Sequence, residues 1–258
     1  VEKTYNSSVK LAKAMVQRKP MQYLYQAGDS YSFMDMNTYE QVELTANQIG
    51  DDLKFLKELF KKAQEGHYAI PSANVLDMES IKYHVGVAQE LGLPLIVGVA
   101  EAHLGDNLTL EDAALVGKKY ADAASVPVVL HLDHGMSVET CKKAIDLGFT
   151  SVMIDASMKS FEENVAITKE VVEYAKAKDV SVEAEIGHVA SNFDENDTDA
   201  LYTTAEEAKK FCEESGCDSL AISIGTAHGV YKAKAIPEIS FDRLAEIHAA
   251  TDVPLVLH

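Results

Sequence analysis

Imidazoles and carboxylates recur at matching places in successive segments of this chain. They stand in His131-Leu132-Asp133-His134-Gly135, in Glu183-Ala184-Glu185-Ile186-Gly187-His188, in Gly225-Thr226-Ala227-His228-Gly229-Val230-Tyr231-Lys232, and at His258. Each follows a short apolar run such as Val126-Pro127-Val128-Val129-Leu130. In an extended strand, period-two alternation puts His131 and Asp133 on one face, with His134 turning over the rim. Histidines far apart in sequence but at the same end of successive strands can converge on one divalent ion. Three of them with an open position suit a catalytic Zn²⁺. One histidine alone is more often a hydrogen-bonded structural residue, but four coincidences at one strand end favour the metal. His67, His84, His103 and His248 fall at segment starts or on helices and receive no role. A Schiff-base mechanism needs a buried lysine at a strand end, and none of the strands assigned below ends in one. No G-x-G-x-x-G or Walker lysine motif follows a strand, which argues against a dinucleotide site.

The elements that must position these groups alternate from residue 59 onward. Strands are expected at 68–75, 94–100, 126–133, 151–156, 180–186, 219–225 and 253–258. Their starts lie roughly 25 to 39 residues apart, the step of successive βα units. Ser160-Phe161-Glu162-Glu163 and Thr204-Ala205-Glu206-Glu207 fit the capping box that opens a helix. Runs apolar on both faces indicate strands covered by helices. Seven such strands make either a doubly wound sheet or a (β/α)8 TIM barrel lacking its eighth unit. Polar residues at the C-terminal strand ends favour the barrel. About 250 residues are typical of that fold, so the eighth strand, its helix and the loop after strand seven are expected to be missing.

Residues 1–58 differ. Met21-Gln22-Tyr23-Leu24-Tyr25 and Ser30-Tyr31-Ser32-Phe33-Met34-Asp35 flank a Gly-containing loop, a hairpin signal, and Tyr39-Glu40-Gln41-Val42-Glu43-Leu44 alternates as a third strand. Residues 47–58 turn helical. The segment suggests part of a small antiparallel barrel of oligonucleotide-binding type. Charge divides the chain in the same place: the 41 acidic and 23 basic side chains leave −18 overall, of which 1–58 carry −1 and 59–258 carry −17. The domains are therefore expected at 1–58 and 59–258. Such acidity disfavours nucleic acid and anionic membranes as partners. No apolar run is long enough to span a bilayer, and the N-terminus has no apolar signal region. Three cysteines at no zinc-ribbon spacing fit a reducing cytoplasm.

Two resemblances follow from these motifs. Arg18-Lys19-Pro20-Met21-Gln22-Tyr23-Leu24-Tyr25, with the Tyr31–Asp35 and Asn37–Leu44 runs, resembles the middle barrel domain of bacterial elongation factor P. It implies no functional residue here. The second covers residues 59–258, from Leu59-Phe60-Lys61-Lys62-Ala63-Gln64-Glu65-Gly66-His67-Tyr68-Ala69-Ile70-Pro71 through the histidine motifs and Ser151-Val152-Met153-Ile154-Asp155-Ala156-Ser157. It resembles the class II, metal-dependent ketose-bisphosphate aldolases of fructose or tagatose type.

The aldolase resemblance implies His134, His228 and His258 as ligands of Zn²⁺ or another divalent ion, and a monovalent cation as a further cofactor. Glu185 matches an alternative or second-shell ligand, and Asp133 the catalytic acid/base. Asn74, Gly229 and Lys232 match substrate or phosphate contacts. The implied reaction is aldol cleavage or condensation of a ketose 1,6-bisphosphate to glycerone phosphate and an aldehyde phosphate, in a homo-oligomer. Two departures stand out: Phe193 occupies the place of a loop glutamate base, leaving Asp194 or Glu195 as substitutes, and Ala100 stands where relatives often have serine. Without a phosphate loop after His258, low turnover is expected. The competing expectations are a ribosome-binding module and a non-catalytic fusion of two partial domains.

Overall fold

The computed structural model describes residues 21–27, 30–35, 38, 40–45, 56–187, 202–226 and 239–258. The expectations for His188, Phe193, Asp194, Glu195, His228, Gly229 and Lys232, and for a helix over 47–55, lie outside the described residues. The chain divides into two compact units, Val1–Gly50 and Asp51–His258.

In the first unit β1 (Met21–Ala27), β2 (Ser30–Asp35) and β3 (Gln41–Thr45) form an antiparallel sheet in that order. The expected hairpin is present, paired from Ala27↔Ser30 to Met21↔Asp35 with a register shift between Tyr23 and Tyr25. The third run pairs with β2 from Ser30↔Thr45 to Met34↔Gln41.

The second unit begins with α1 (Leu56–Gly66) and then alternates. Its elements are β4 (Ser72–Asn74), α2 (Met78–Leu91), β5 (Leu95–Ala100), α3 (Leu110–Ala123), β6 (Val128–Gly135), α4 (Val138–Leu147), β7 (Ser151–Ile154), α5 (Phe161–Lys176), β8 (Ser181–Ile186), α6 (Ala205–Ser215), β9 (Ser219–Ile222), α7 (Phe241–Ala250) and β10 (Leu255–Val256). All seven expected strands are present, most of them shorter than the apolar runs that announced them. They form one parallel sheet ordered as in the sequence, with β4 and β10 at its two edges. One cavity of about 1400 Å³ is lined by residues of both edges, so the sheet curves toward a barrel, and among the described residues no ladder joins β4 to β10.

Successive strand residues enter different cores, which is why the runs are apolar on both faces. Leu95, Val97, Val99, Val128, Leu130 and Leu132 pack with the helices, whereas Ile96 and Val129 pack with Leu59 of α1. The helices start where their caps place them. Ser160 Oγ accepts from the Glu163 amide while Glu163 accepts from the Ser160 amide, and Thr204 and Glu207 repeat the exchange. Each such cap stabilises its helix by about 1 kcal/mol. Among the described residues no helix is long and apolar enough to cross a membrane. Cys141, Cys212 and Cys217 are buried free thiols.

Candidate metal centre

The site forms at the C-terminal ends of β6, β7, β8 and β10. On β6 the pairing with β7 runs His131↔Ser151 and Leu132↔Val152, then jumps to Gly135↔Ile154. Two residues, Asp133 and His134, thus oppose one, Met153, which is a β-bulge. His134 takes a left-handed φ of 48°, a conformation that costs a non-glycine residue about 1–2 kcal/mol. In return the adjacent residues Asp133 and His134 both reach the same cluster, which regular alternation forbids.

Each of two imidazoles is held at one nitrogen by a carboxylate. His134 Nδ1 lies 3.0 Å from Asp155 Oδ2, and the other oxygen of Asp155 accepts from the Ser157 amide and hydroxyl at 3.1 and 2.7 Å. His258 Nε2 lies 3.0 Å from Glu183 Oε1. A ring that donates at one nitrogen presents a lone pair at the other. Those remaining nitrogens, His134 Nε2 and His258 Nδ1, face each other at 2.9 Å, with the rings inclined at 74°. Two lone pairs at that distance repel unless a proton or a cation lies between them. Asp133 Oδ1 is 3.9 Å from the first and 4.0 Å from the second. The donor atoms of Asp133, His134 and His258 all lie within 4.8 Å of one another. The two imidazoles, with their second nitrogens already anchored, are fitting donors for a divalent ion, and the Asp133 carboxylate stands beside them. A second grouping, His134, Asp155 and Glu185, uses His134 Nδ1. That nitrogen is already engaged with Asp155, so Nε2 is the better donor atom of His134.

Electrostatics agree with this division of labour. Burial pulls the His258 pKa down, but the hydrogen bond and charge of Glu183, with the charges of Asp133 and Glu185, raise it to about 9. Burial also opposes charge on His134, where the Asp155 hydrogen bond and the Asp133 charge prevail and the shift is upward. His131 goes the other way: complete burial outweighs Glu183 and Asp133 and lowers its pKa. For Asp133, burial raises the pKa, yet the charges of His131, His134 and His258 and the Asn74 hydrogen bond hold it below the ordinary carboxylate value.

The flanking strands complete the geometry. Asn74, the last residue of β4, donates from Nδ2 to Asp133 Oδ2 at 3.0 Å, reaching across β5. Gly98 of β5 makes this possible, because a Cβ there would stand 2.4 Å from Asn74 Oδ1. His131 is not in the close donor group. Its Nδ1 lies 2.8 Å from Ser151 Oγ, and its Nε2 lies 4.0 Å from Glu183 Oε2, beyond hydrogen-bonding distance. Glu185 is buried with Oε2 4.0 Å from His134 Nδ1.

Of the residues singled out in the sequence, the structure brings Asn74, Asp133, His134, Glu185 and His258 together. Sequence reasoning missed Asp155 and Glu183 as histidine partners. Their signals were a carboxylate ending the β7 run and the shared parity of Glu183 with Glu185. His67, His103 and His248, given no role, line the same cavity.

The family profile described as "Fructose-bisphosphate aldolase class-II" matches residues 54–258. The chain belongs to the class II fructose-bisphosphate aldolase family. Members of this family are metal-dependent lyases acting on phosphorylated sugars. A fructose-bisphosphate aldolase from Staphylococcus aureus is 42% identical over 207 residues, 79% of this chain and 71% of that relative. A 6-phospho-5-dehydro-2-deoxy-D-gluconate aldolase from Bacillus licheniformis is also 42% identical, over 79% of this chain and 70% of its own length. Among solved structures, the YdjI aldolase from Escherichia coli K12 superposes with a TM-score of 0.70 at 35% identity, covering 80% of this chain and 72% of that one. A fructose-1,6-bisphosphate aldolase-like protein from Coccidioides immitis gives 0.70 at 31% identity, over 80% and 74%. The N-terminal segment has its own likeness, since the profile of the "Elongation factor P (EF-P) OB domain" matches residues 16–61. The two matches in this aldolase-family chain overlap over residues 54–61, which include the start of α1.

Proposed function

We propose that the site carries out zinc-dependent, reversible aldol cleavage of a ketose 1,6-bisphosphate of fructose or tagatose type. The products are glycerone phosphate and an aldehyde phosphate. His134, His228 and His258 would hold the ion, with Glu185 as an alternative or supporting ligand. When bound, a divalent ion supplies a Lewis acid that polarises the ketose carbonyl and offsets the negative charge developing as the carbon–carbon bond breaks. Asp133 removes the proton from the hydroxyl that becomes the aldehyde oxygen, and returns it in condensation. Its depressed pKa keeps it ionised and ready to act as the base in cleavage. Asn74 fixes the carboxylate by occupying Oδ2, which leaves Oδ1 turned toward the two histidines. Gly229 and Lys232 would contact a substrate phosphate. We place the boundary between the two parts of the chain near residue 58, inside α1.

The single observation that carries this reading is the pair of facing imidazole nitrogens at 2.9 Å, each backed by a carboxylate and flanked by Asp133. The test is metal analysis of the purified chain with a coupled cleavage assay. About one equivalent of divalent ion is expected, lost with activity on chelation. Asp133→Asn should retain the ion and lose about 10²–10⁴-fold in turnover. Less than about a tenth of an equivalent, with behaviour unchanged by chelator, would sink the metal centre. Comparing fructose and tagatose 1,6-bisphosphates in the same assay decides the substrate. The gluconate-type relative at 42% identity makes a third ketose phosphate worth including.

A further inference from the structure

We propose that Glu101 is a positioning residue that clamps the β6 bulge and so holds His134 in its ligand position. The inference rests on the reading of His134 as a metal ligand. Glu101 follows β5 on a short 3-10 turn, Glu101–His103, and is only partly exposed. Its carboxylate reaches across to the segment after the bulge. One oxygen, Oε2, accepts from the Met136 amide at 2.6 Å, and Oε1 accepts from the Thr140 hydroxyl at 3.0 Å. The first bond is short and charge-assisted, so it is among the stronger single contacts on this rim.

The bulge needs such an anchor. His134 sits at φ 48°, and its own amide donates to a sulfur, Met153 Sδ at 3.4 Å. A backbone held in a sparsely populated conformation persists when its surroundings over-determine it. On the β7 side the restraint is the ladder: Gly135 pairs with Ile154, and the Asp155 amide donates to the Gly135 carbonyl at 2.9 Å. On the β5 side the described ladder ends at Ala100↔Asp133, one residue before His134. Glu101 is the next residue of that neighbouring chain, and its side chain continues the restraint to Met136. The bulge is thus pinned on both flanks, by backbone on one and by a carboxylate on the other. Thr140 lies in the first turn of α4, so the same carboxylate also ties that helix to the rim.

Two measurements on the whole chain test this. Hydrogen exchange over residues 133–137 of the metal-free protein should be roughly tenfold faster in Glu101→Ala, because the Met136 amide loses its acceptor. Glu101→Gln keeps a carbonyl oxygen for that amide and should restore most of the protection. Zn²⁺ affinity, by competition with a chromogenic chelator, should fall about 10–100-fold in Glu101→Ala and recover to within about threefold in Glu101→Gln. Thr140→Val, which removes only the second bond, should leave both readouts near those of the parent, and covers the case in which Glu101→Ala fails to fold. Unchanged exchange in Glu101→Ala overturns the clamp. Faster exchange with unchanged Zn²⁺ affinity, or a loss equal in Thr140→Val, assigns Glu101 to α4 stability and overturns its role toward His134. A parent chain that binds no Zn²⁺ refutes the metal-centre reading instead, and the exchange measurement still decides whether Glu101 holds the bulge.

Discussion

Along β8 the carboxylates Glu183 and Glu185 stand two residues apart, and both reach the histidine cluster, as regular pleating requires. Along β6 the corresponding groups, Asp133 and His134, are adjacent, and they share the cluster only because the ladder to β7 skips a residue. β8 keeps an unbroken register with both neighbours, from Ser151↔Ser181 to Ile154↔Ala184 and from Glu183↔Ser219 to Ile186↔Ile222. Its site residues need no unusual backbone. β6 carries a left-handed His134 and a Gly135 whose absent Cβ would meet Met153 O at 2.5 Å and Cys141 Sγ at 2.8 Å. The difference teaches that crowding two donors onto consecutive positions has a backbone cost, and that neighbouring strands must supply the restraint.

The largest expected effect is at the bulge itself. His134→Ala should weaken Zn²⁺ binding by more than the 10–100-fold, roughly, that follows loss of an outer partner. Glu185→Gln on β8 should stay within that range. Equal losses at the two positions, read by chelator competition, would break the contrast. Next comes the backbone. Gly135→Ala should cost about 1–3 kcal/mol, at the upper end because one obstacle is backbone rather than a movable side chain. The reverse exchange on the regular strand, Ala184→Gly, should cost only about 1 kcal/mol. Urea midpoints of the two variants check the order, and a larger loss in β8 would refute it.

Glu183→Gln tests the regular strand as a holder of His258. Zn²⁺ affinity should fall about 10–100-fold. In the metal-free chain the His258 pKa should also drop from about 9 toward its ordinary 6.5. The sign follows from linkage. A histidine raised by folding contributes stability that is fully present below about pH 6.5 and is lost as pH rises through about 9. The parent should therefore lose more stability than Glu183→Gln between pH 6.5 and 9, measured by denaturation in chelator. Parallel curves would remove Glu183 as the cause of the shift.

Much of this arrangement was legible from the residues. The apolar runs and their spacing located all seven parallel strands: the five inner strands are buried along nearly their whole length, while β4 and β10 at the edges are only partly covered. Ser160 and Thr204 announced their helices, since a capping box is local chemistry spanning four residues. His131-Leu132-Asp133-His134 marked the site, but simple alternation sent His134 over the rim. The bulge that turns it inward depends on how β7 aligns, which no residue of β6 encodes alone. The partners Asp155 and Glu183 were hidden for the same reason. They lie 21 and 75 residues from the histidines they hold, and an acidic strand end looks the same whether or not a ring faces it. Glu101 gave even less signal, as a charged rim residue whose role exists only through a backbone amide 35 residues on.

The smallest expected effect concerns how the regular strand ends. β7 stops at Ile154, paired with Ala184, so the Glu185 carbonyl lies past the last ladder pair on that side. Buried Asn164 of α5 donates to it from Nδ2 at 2.8 Å, and Thr168 donates to Asn164 Oδ1 at 3.2 Å. One residue on, the Ile186 carbonyl accepts from Thr203 Oγ1 at 2.7 Å. Side chains thus take over where the ladder runs out, as Glu101 does beside β6, but no residue of β8 itself is left-handed, and the left-handed position that follows is Gly187 (φ 67°), where it carries no Cβ penalty. Asn164→Ala should then cost about 1–2 kcal/mol, the penalty of leaving a buried carbonyl without its donor. Zn²⁺ affinity should change less than in Glu101→Ala, because an unstrained strand has little tendency to move when one cap is removed. If Asn164→Ala weakens Zn²⁺ binding as much as Glu101→Ala does, the two strand ends are equally dependent on their caps, and the bulge is not what makes β6 need its clamp.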